Sequence, residues 1–428
     1  MSILFKNVYA LDGTMEKACR ADVLVEGEKI ARIAAPETLS GENCEVIDGK
    51  GEMLLMPGFF NAHCHAAMTL LRGLGEERPL MEWLEQKVWP VETHLDGEIV
   101  YAATMQAICE MALGGTTGFG DMYYFMDNVA RAVNETKVRC SVGVGVVRDP
   151  ATFHKMLYRD YADVAGPRII NSIDPHAPYT VSPDYIGKTA AEACKRGLPL
   201  QTHFLEAEWE RGYIIDTLKM TPVDYLEKTG LAKVPHLVLA HGVQFKEDEL
   251  EYLADHPNIT IVHCPASNLK LGSGVALLPK MLTKGVHVAL GTDGAASNNR
   301  LDLWSEIRLA SLVHKGVGHD PQAVSSRQIL NCATYEGARA FGFENVGLIR
   351  EGWAADLTAV DLNKPHYIGA DEENMSSYVV FAGTSADVRH VMCGGDWIVK
   401  DAAFVPRSIE EIMAESRTQR ARLLSARS

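Results

Sequence analysis

Residues 54–65 read LLMPGFFNAHCH, an apolar run that ends in two histidines spaced two residues apart. On a β-strand, side chains two positions apart project from the same face, so His63 and His65 can direct two imidazoles to one point. Convergent imidazoles are ligands that a transition metal accepts. A His-x-His pair by itself is equally compatible with two strand-end histidines that only hydrogen-bond the backbone. The rest of the sequence must distinguish these two interpretations.

The sequence around this run repeats one pattern, in which a short apolar or β-branched segment is followed by polar residues and then by a helical stretch. The predicted strands are Leu54–Phe60, Thr116–Gly120, Cys140–Val146, Ile169–Ile173, Leu198–Phe204, Leu237–Ala240, Ile259–Val262 and Val286–Leu290. Helical periodicity is found at Glu98–Leu113, Ser182–Arg196 and Leu301–His314. Eight alternating βα units predict an α/β fold, a closed (β/α)8 TIM barrel. A doubly wound open sheet is the rival architecture, but no GxGxxG turn follows the first strand.

Both ends of the chain have a different pattern, with short alternating segments separated by turns. These segments are Ile3–Leu11, Asp22–Val25, Lys29–Ile33, Asp356–Val360, Val388–Met392 and Trp397–Val399. They predict a small β-sandwich-like domain formed by residues 1–55 and 356–405, with the barrel at residues 56–355 inserted between them. Residues 406–428 are rich in Glu and Arg and predict a C-terminal surface helix.

Composition excludes several classes of partner. The formal net charge is −15, which argues against binding to nucleic acid or to an anionic membrane surface. No run approaches the roughly 18 apolar residues of a membrane span, and the first ten residues lack the pattern of a signal peptide. The nine cysteines show no CxxC spacing, so we expect reduced thiols and a cytoplasmic location. Cys64 and Cys264 are expected to be small apolar fillers.

Polar side chains end most of the predicted barrel strands. They are His63 and His65, Asp174 and His176, His203 and Glu206, His241, His263, and Asp293. Catalytic residues of barrels gather at the carboxyl ends of several strands. One histidine at such a position is usually structural, but convergence from so many strands favours metal catalysis.

A catalytic zinc ion typically takes three protein ligands and keeps one position for water. His63, His65 and His203 supply three imidazoles, and Asp293 adds a carboxylate that can touch the metal and accept a proton from water. Glu206 lies three residues beyond a ligand, where a general acid–base group can reach both water and substrate. Binuclear barrel hydrolases bridge their metals with a lysine from strand 4, and residues 169–175 contain none. The sequence therefore predicts one metal ion.

Four stretches give the chain a family resemblance: PGFFNAHCH at 57–65, HFLE at 203–206, HCPASNLKL at 263–271 and GTDGAASNN at 291–299. With EGWAADL at 351–357, they resemble the amidohydrolase superfamily, and within it the methylthioadenosine/S-adenosylhomocysteine deaminases. The similarity spans nearly the whole chain.

The resemblance implies one divalent metal ion per subunit, with Zn²⁺ favoured and Fe²⁺ or Mn²⁺ as alternatives. The family's ligands match His63, His65, His203 and Asp293. Its proton shuttle matches Glu206, and a second histidine beside the attacking water matches His241. The implied reaction is hydrolytic deamination of an adenine nucleoside, with Glu206, His241 and Asp293 as catalytic residues.

Substrate contacts also follow from the resemblance. Glu206 and Asp293 face the reacting ring, His176 matches the purine contact, and Glu92 matches the ribose carboxylate. In the family, arginines at the mouth hold the carboxylate of S-adenosylhomocysteine. Arg148 is the best-placed candidate here, and Arg159 lies further along the same loop. A site without such an arginine would favour methylthioadenosine, 5′-deoxyadenosine or adenosine.

Two alternatives remain open at this point. The first is a deaminase or chlorohydrolase of another nitrogen heterocycle, such as guanine, a pterin or a triazine, for which Glu92 and His176 are the discriminating residues. The second is a metal-free scaffold on the same barrel, which should have lost ligands or the shuttle, and none is lost. The sequence does not determine whether the chain forms a homo-oligomer.

Overall fold

The computed structural model describes residues 2–146 and 163–425. Within these two ranges, seventeen strands fall into two sheets. Strands β1–β5 are Ser2–Ala10, Cys19–Glu26, Lys29–Ala34, Glu45–Asp48 and Met53–Pro57; strands β6–β13 are Phe59–Cys64, Thr116–Tyr123, Arg139–Val146, Ile169–Pro175, Leu200–Phe204, Leu237–His241, Ile259–His263 and His287–Leu290; strands β14–β17 are Leu357–Asp361, Val388–Cys393, Asp396–Lys400 and Ala403–Phe404.

Strands β6–β13 form one parallel sheet in which neighbours in space are neighbours in sequence. The two ends of this sheet approach each other, because the backbone N–H of Asp293 donates to the carbonyl of His63 at 3.0 Å. The Asn61 side chain accepts a second hydrogen bond from Thr292 N–H at 2.9 Å. The predicted α/β barrel is therefore confirmed as an eight-stranded parallel near-barrel, with the carboxyl ends of all strands at one mouth.

One predicted strand is wrong. The run Leu54–Phe60 is two strands, β5 in the mixed sheet and β6 in the barrel. The chain changes sheets at Gly58, whose N–H donates to the carbonyl of Asp356 at 2.9 Å. A Cβ at Gly58 would lie 2.2 Å from the Thr117 side chain, so a larger residue at this position would force neighbouring atoms to move.

The remaining strands form a mixed nine-stranded sheet, in the order β17-β16-β15-β14-β5-β1-β2-β3, with β4 paired to β1. Strands from the two chain ends meet where β14 pairs antiparallel with β5, with Leu357 opposite Pro57. The prediction that both termini build one β-unit is confirmed, and the unit is one continuous mixed sheet. Arg139, at the amino end of β8, donates to the Asp356 carboxylate at 2.6 and 3.0 Å, far from the mouth.

Helices cover the outside of the barrel, and several of them begin at polar caps. In the described residues the α-helices are Leu80–Trp83, Trp89–Glu92, Gly97–Leu113, Met126–Thr136, Pro183–Arg196, Glu208–Gly212, Pro222–Lys228, Leu250–Ala254, Pro265–Lys270, Leu278–Lys284, Ala295–Asn298, Leu303–Gly318, Ser326–Ala333, Tyr335–Ala340, Met375–Phe381 and Ile409–Ser425. Asp96, Ser182 and Asp302 accept hydrogen bonds from the first turns of their helices. None of the helices in the described ranges is long and apolar enough to cross a bilayer.

Candidate active site

Four side chains meet at the barrel mouth: His63 from β6, His65 just after it, His203 from β10, and Asp293 after β13. All four are buried, and one ligand atom from each lies within 4.8 Å of those of the others. The Nε2 atom of His63 is buried without a hydrogen-bond partner, and Nε2 of His65 lies 3.2 Å from Nε2 of His203. An unpaired imidazole nitrogen and two further imidazole nitrogens that converge on the same point fit a metal ion.

The opposite nitrogen of each imidazole is held by the barrel. Nδ1 of His63 lies 2.7 Å from Oε1 of Gln201, and Nδ1 of His65 lies 2.6 Å from the Met122 carbonyl. Nδ1 of His203 lies 2.7 Å from the His176 carbonyl. Since all three partners accept, each Nδ1 carries the hydrogen in a neutral ring and each Nε2 offers its lone pair to the centre. This arrangement is the one expected around a bound transition metal.

Asp293 is fixed by two serines. Its Oδ2 accepts hydrogen bonds from the hydroxyls of Ser267 at 2.6 Å and Ser297 at 2.7 Å, and its Oδ1 faces the histidines. Burial opposes ionisation, but the facing imidazoles of His63 and His65 hold the pKa of Asp293 well below its usual range. Asp293 is therefore a carboxylate.

Glu206 lies beside this cluster without belonging to it. The Ser273 hydroxyl donates to Oε1 of Glu206 at 3.4 Å, and Nε2 of His241 lies 3.8 Å from Oε2. Burial, followed by the charge of Asp293, raises the pKa of Glu206 to about 8. A carboxyl group with this pKa exchanges protons near neutral pH, which suits a general acid–base group.

His241 turns into the mouth at the end of β11 through a left-handed backbone conformation with φ of 77°. Its Nδ1 lies 2.8 Å from Oδ1 of Asn268, so the ring presents Nε2 to the mouth. Burial lowers the pKa of His241, which keeps the imidazole neutral. His241 therefore offers a hydrogen-bond acceptor close to Glu206.

His176 and Glu92 line the same cavity. The His176 ring lies 4.5 Å from that of His203, and its Nδ1 is 2.9 Å from the Thr180 hydroxyl. The Tyr123 hydroxyl donates to Oε1 of Glu92 at 2.7 Å, and burial raises the pKa of Glu92 to about 7. One carboxylate oxygen of Glu92 is thus held by tyrosine, and the other accepts no hydrogen bond from the part of the chain that the structure describes.

Other residues singled out in the sequence lie elsewhere. His263 faces away from the metal cluster, with its Nε2 3.3 Å from Nε2 of His314 on an outer helix. Cys64 and Cys264 are buried free thiols, as expected of fillers. Arg148 and Arg159 lie outside the described residues.

A cavity lies above the cluster. Its apolar wall consists of Met68, Leu80, Trp83, Leu84, Trp89 and Leu271, with Tyr123, Tyr124 and Tyr179 beside it. An apolar slot with carboxylates and imidazoles at its base suits a flat heterocycle.

The motifs do not reveal the residues that hold the side chains of the site, namely Gln201, Ser267, Asn268, Ser297 and Tyr123. A signal existed for Gln201, because it precedes His203 by two positions and shares its strand face. Ser267 and Asn268 stand within the HCPASN motif, but the motif does not reveal which atoms they contact.

Comparison with known proteins gives concordant results. The family model described as "Amidohydrolase family" matches residues 54–398. A 5-methylthioadenosine/S-adenosylhomocysteine deaminase of Dictyoglomus turgidum is 40% identical over 401 residues, which cover 92% of this chain and 93% of the relative. A 5′-deoxyadenosine deaminase of Methanothermobacter thermautotrophicus is 39% identical over 392 residues, covering 89% and 90%. The crystal structure of an adenosine deaminase from Xanthomonas campestris with bound zinc superposes with a TM-score of 0.90 at 30% identity, covering 99% and 98%.

Proposed function

The chain belongs to the amidohydrolase family, and on that premise we propose that it hydrolyses the amino group of an adenine nucleoside to give the inosine analogue and ammonia. The family membership predicted from the sequence motifs is confirmed by the match over residues 54–398. The proposed substrates are S-adenosylhomocysteine, 5′-methylthioadenosine, 5′-deoxyadenosine and adenosine. Relatives named for three of these nucleosides match most of the chain.

One divalent metal ion, with Zn²⁺ favoured, would be held by His63, His65, His203 and Asp293. The unpaired Nε2 of His63 and the 3.2 Å approach of His65 to His203 support this choice. When bound, such an ion lowers the pKa of a water molecule and makes it a nucleophile near neutral pH. No second group of three or more potential ligands comes this close in the described ranges, which supports a single ion.

The single observation that carries the proposal is the position of Glu206, a buried carboxyl beside the ligand cluster but not part of it. Its protonated form donates to ring nitrogen N1 while water adds to the carbon that bears the amino group. Glu206 accepts the proton that water releases and passes it to the amino group, which leaves as ammonia. The remaining hydroxyl proton then restores Glu206. His241 and Asp293 orient the water by accepting its hydrogen bonds.

Substrate recognition would use the cavity that adjoins the metal cluster. The free oxygen of Glu92 is available to a ribose hydroxyl, and His176 lies where a purine edge would contact it. Arg148 stays a candidate for the carboxylate of S-adenosylhomocysteine. The nine cysteines are all free thiols, which supports the proposal of a reducing, cytoplasmic location.

A substrate panel tests the proposal. Zinc-loaded protein is incubated with the four adenine nucleosides, and with guanine, a pterin and an aminotriazine as the alternative class, while ammonia release is followed. We expect turnover of at least one adenine nucleoside. Activity confined to the other heterocycles would assign the chain to the alternative class.

A further inference from the structure

Glu210 is a fully buried carboxylate one helical turn after Glu206, in the short helix Glu208–Gly212. Its Oε1 accepts a hydrogen bond from the backbone N–H of Leu205 at 2.9 Å, and its Oε2 accepts one from the N–H of Glu206 at 2.8 Å. Among the described residues, no lysine, arginine or histidine forms an ion pair with it. Burying a carboxylate without a cation is costly unless hydrogen bonds compensate. The two backbone donors offset part of this cost, and burial still raises the pKa of Glu210 to about 7.

These hydrogen bonds fix an unfavourable turn. Leu205 has φ of 56°, in the left-handed region that non-glycine residues avoid. The other side of the turn is also held, because the Leu205 carbonyl accepts from the N–H of Gln244 at 2.9 Å. A residue in this conformation persists only when its surroundings enforce it. Loss of the Glu210 contacts would let the turn relax.

The turn sets the position of the Glu206 carboxyl group. Gln244 also donates from its side chain to the Ser273 carbonyl at 2.7 Å, and the Ser273 hydroxyl reaches Oε1 of Glu206 at 3.4 Å. Backbone and side chain of Glu206 are therefore fixed from separate directions. The position of the Glu206 backbone depends on its hydrogen bond to Glu210.

We propose that Glu210 is a positioning residue for the deamination. Its two hydrogen bonds hold the backbone of Leu205 and Glu206 so that the Glu206 carboxyl faces the reacting ring. The inference rests on the role proposed for Glu206. Glu210 belongs neither to the ligand cluster nor to the cavity lining, and its contact with the lining is the hydrogen bond from the Glu206 backbone.

Glu210→Gln tests this with a minimal change of shape. A glutamine oxygen can accept from one N–H, but its amino group then faces the other donor. The matched control is Glu208→Gln, an exposed glutamate in the same helix. We expect Glu210→Gln to retain zinc and to keep KM within about 2-fold, while kcat falls by about 10- to 100-fold, as misplacement of a reacting group by an ångström does. An unchanged kcat would overturn the proposal.

A double-mutant cycle separates positioning from general structural damage. Once Glu206→Gln has removed the proton carrier, adding Glu210→Gln should change kcat by less than about 2-fold, because the two residues act as one unit. A full additional loss in the double variant would show that Glu210 supports the fold at large and would overturn the proposal.

Amide hydrogen exchange provides a readout that needs no substrate. In Glu210→Gln, but not in Glu208→Gln, the peptide spanning Leu205 and Glu206 should exchange faster while the other barrel strands stay protected. Unchanged exchange at that peptide would overturn the positioning role. If wild-type protein deaminates no adenine nucleoside, the proposed function fails, and the exchange experiment still decides whether Glu210 holds this turn.

Discussion

Nε2 of His65 lies 3.2 Å from Oδ1 of Asp293, so a metal ligand and its neighbouring carboxylate face each other directly. Burial opposes the charged form of His65, but the contact with Asp293 raises the pKa of His65 to about 9. Burial lowers the pKa of His63 to about 4 and takes that of His203 well below its usual value. In the metal-free protein at pH 7, the proton that a metal must displace from its ligands is therefore on His65.

Zinc binding should release about one proton per ion at pH 7, because ligands bind in their deprotonated form. The raised pKa of His65 means that the proton competes with zinc at every pH below about 9. The apparent zinc affinity should accordingly rise about tenfold per pH unit toward pH 9 and then level off. Calorimetry in two buffers of different ionisation enthalpy measures this release. Binding without proton release would contradict the assigned state of the His65–Asp293 pair.

Glu206→Gln keeps the shape of the side chain but removes its exchangeable proton. Turnover should fall by about 10²–10⁴-fold, the usual contribution of a general acid–base group, while zinc stays bound. Zinc content and kcat are measured on the same preparation, with His63→Gln as the control that should lose the metal. A Glu206→Gln protein devoid of zinc would identify Glu206 as a ligand instead of a proton carrier.

Glu92→Ala should impair recognition of the ribose. Leaving a hydroxyl unpaired in a closed site costs about 1–3 kcal/mol, so kcat/KM for methylthioadenosine should fall by about 5- to 150-fold. A 2′,3′-dideoxy analogue serves as the control, since it never makes the contact and should lose far less. Equal losses on both substrates would remove Glu92 from ribose binding.

Gly58→Ala should destabilise the junction between the two sheets. The added Cβ would meet the Thr117 side chain at 2.2 Å, and overpacking of this kind costs about 1–3 kcal/mol of unfolding free energy. The control is Gly316→Ala, on a helix where a new Cβ meets nothing within 4 Å. Denaturant midpoints should fall for Gly58→Ala and hold or rise for the control. A midpoint unchanged by Gly58→Ala would mean that the chain can cross from one sheet to the other without a glycine at this position.

The barrel and the positions of its polar strand ends were predictable because their signals are local. His63 and His65 follow the two-residue period of a strand, and the βα repeat fixes which edge carries the polar residues. The break at Gly58 was not predictable, because the apolar run continues through it. Its cause is a hydrogen bond to Asp356, almost 300 positions away in sequence.

His241 and His263 show where strand periodicity fails. Register places Ala240 beside His203 and Val262 beside Ala240, so both histidines begin on the face opposite to the metal ligands. His263 stays there and meets His314, whereas the left-handed φ of His241 turns its ring into the mouth. Backbone conformation at a single residue decides the outcome, and residue type alone does not encode it.

The central claim is hydrolytic deamination of an adenine nucleoside at this site, and isotope tracing tests it most directly. Zinc-loaded protein is incubated with methylthioadenosine in ¹⁸O-labelled water, and product mass and ammonia are measured together. We predict one ¹⁸O atom in the inosine analogue for each ammonia released, with kcat/KM of about 10⁴ M⁻¹s⁻¹ or more. If neither this nucleoside nor the other three proposed substrates yields labelled product and ammonia, the account of the active site is contradicted.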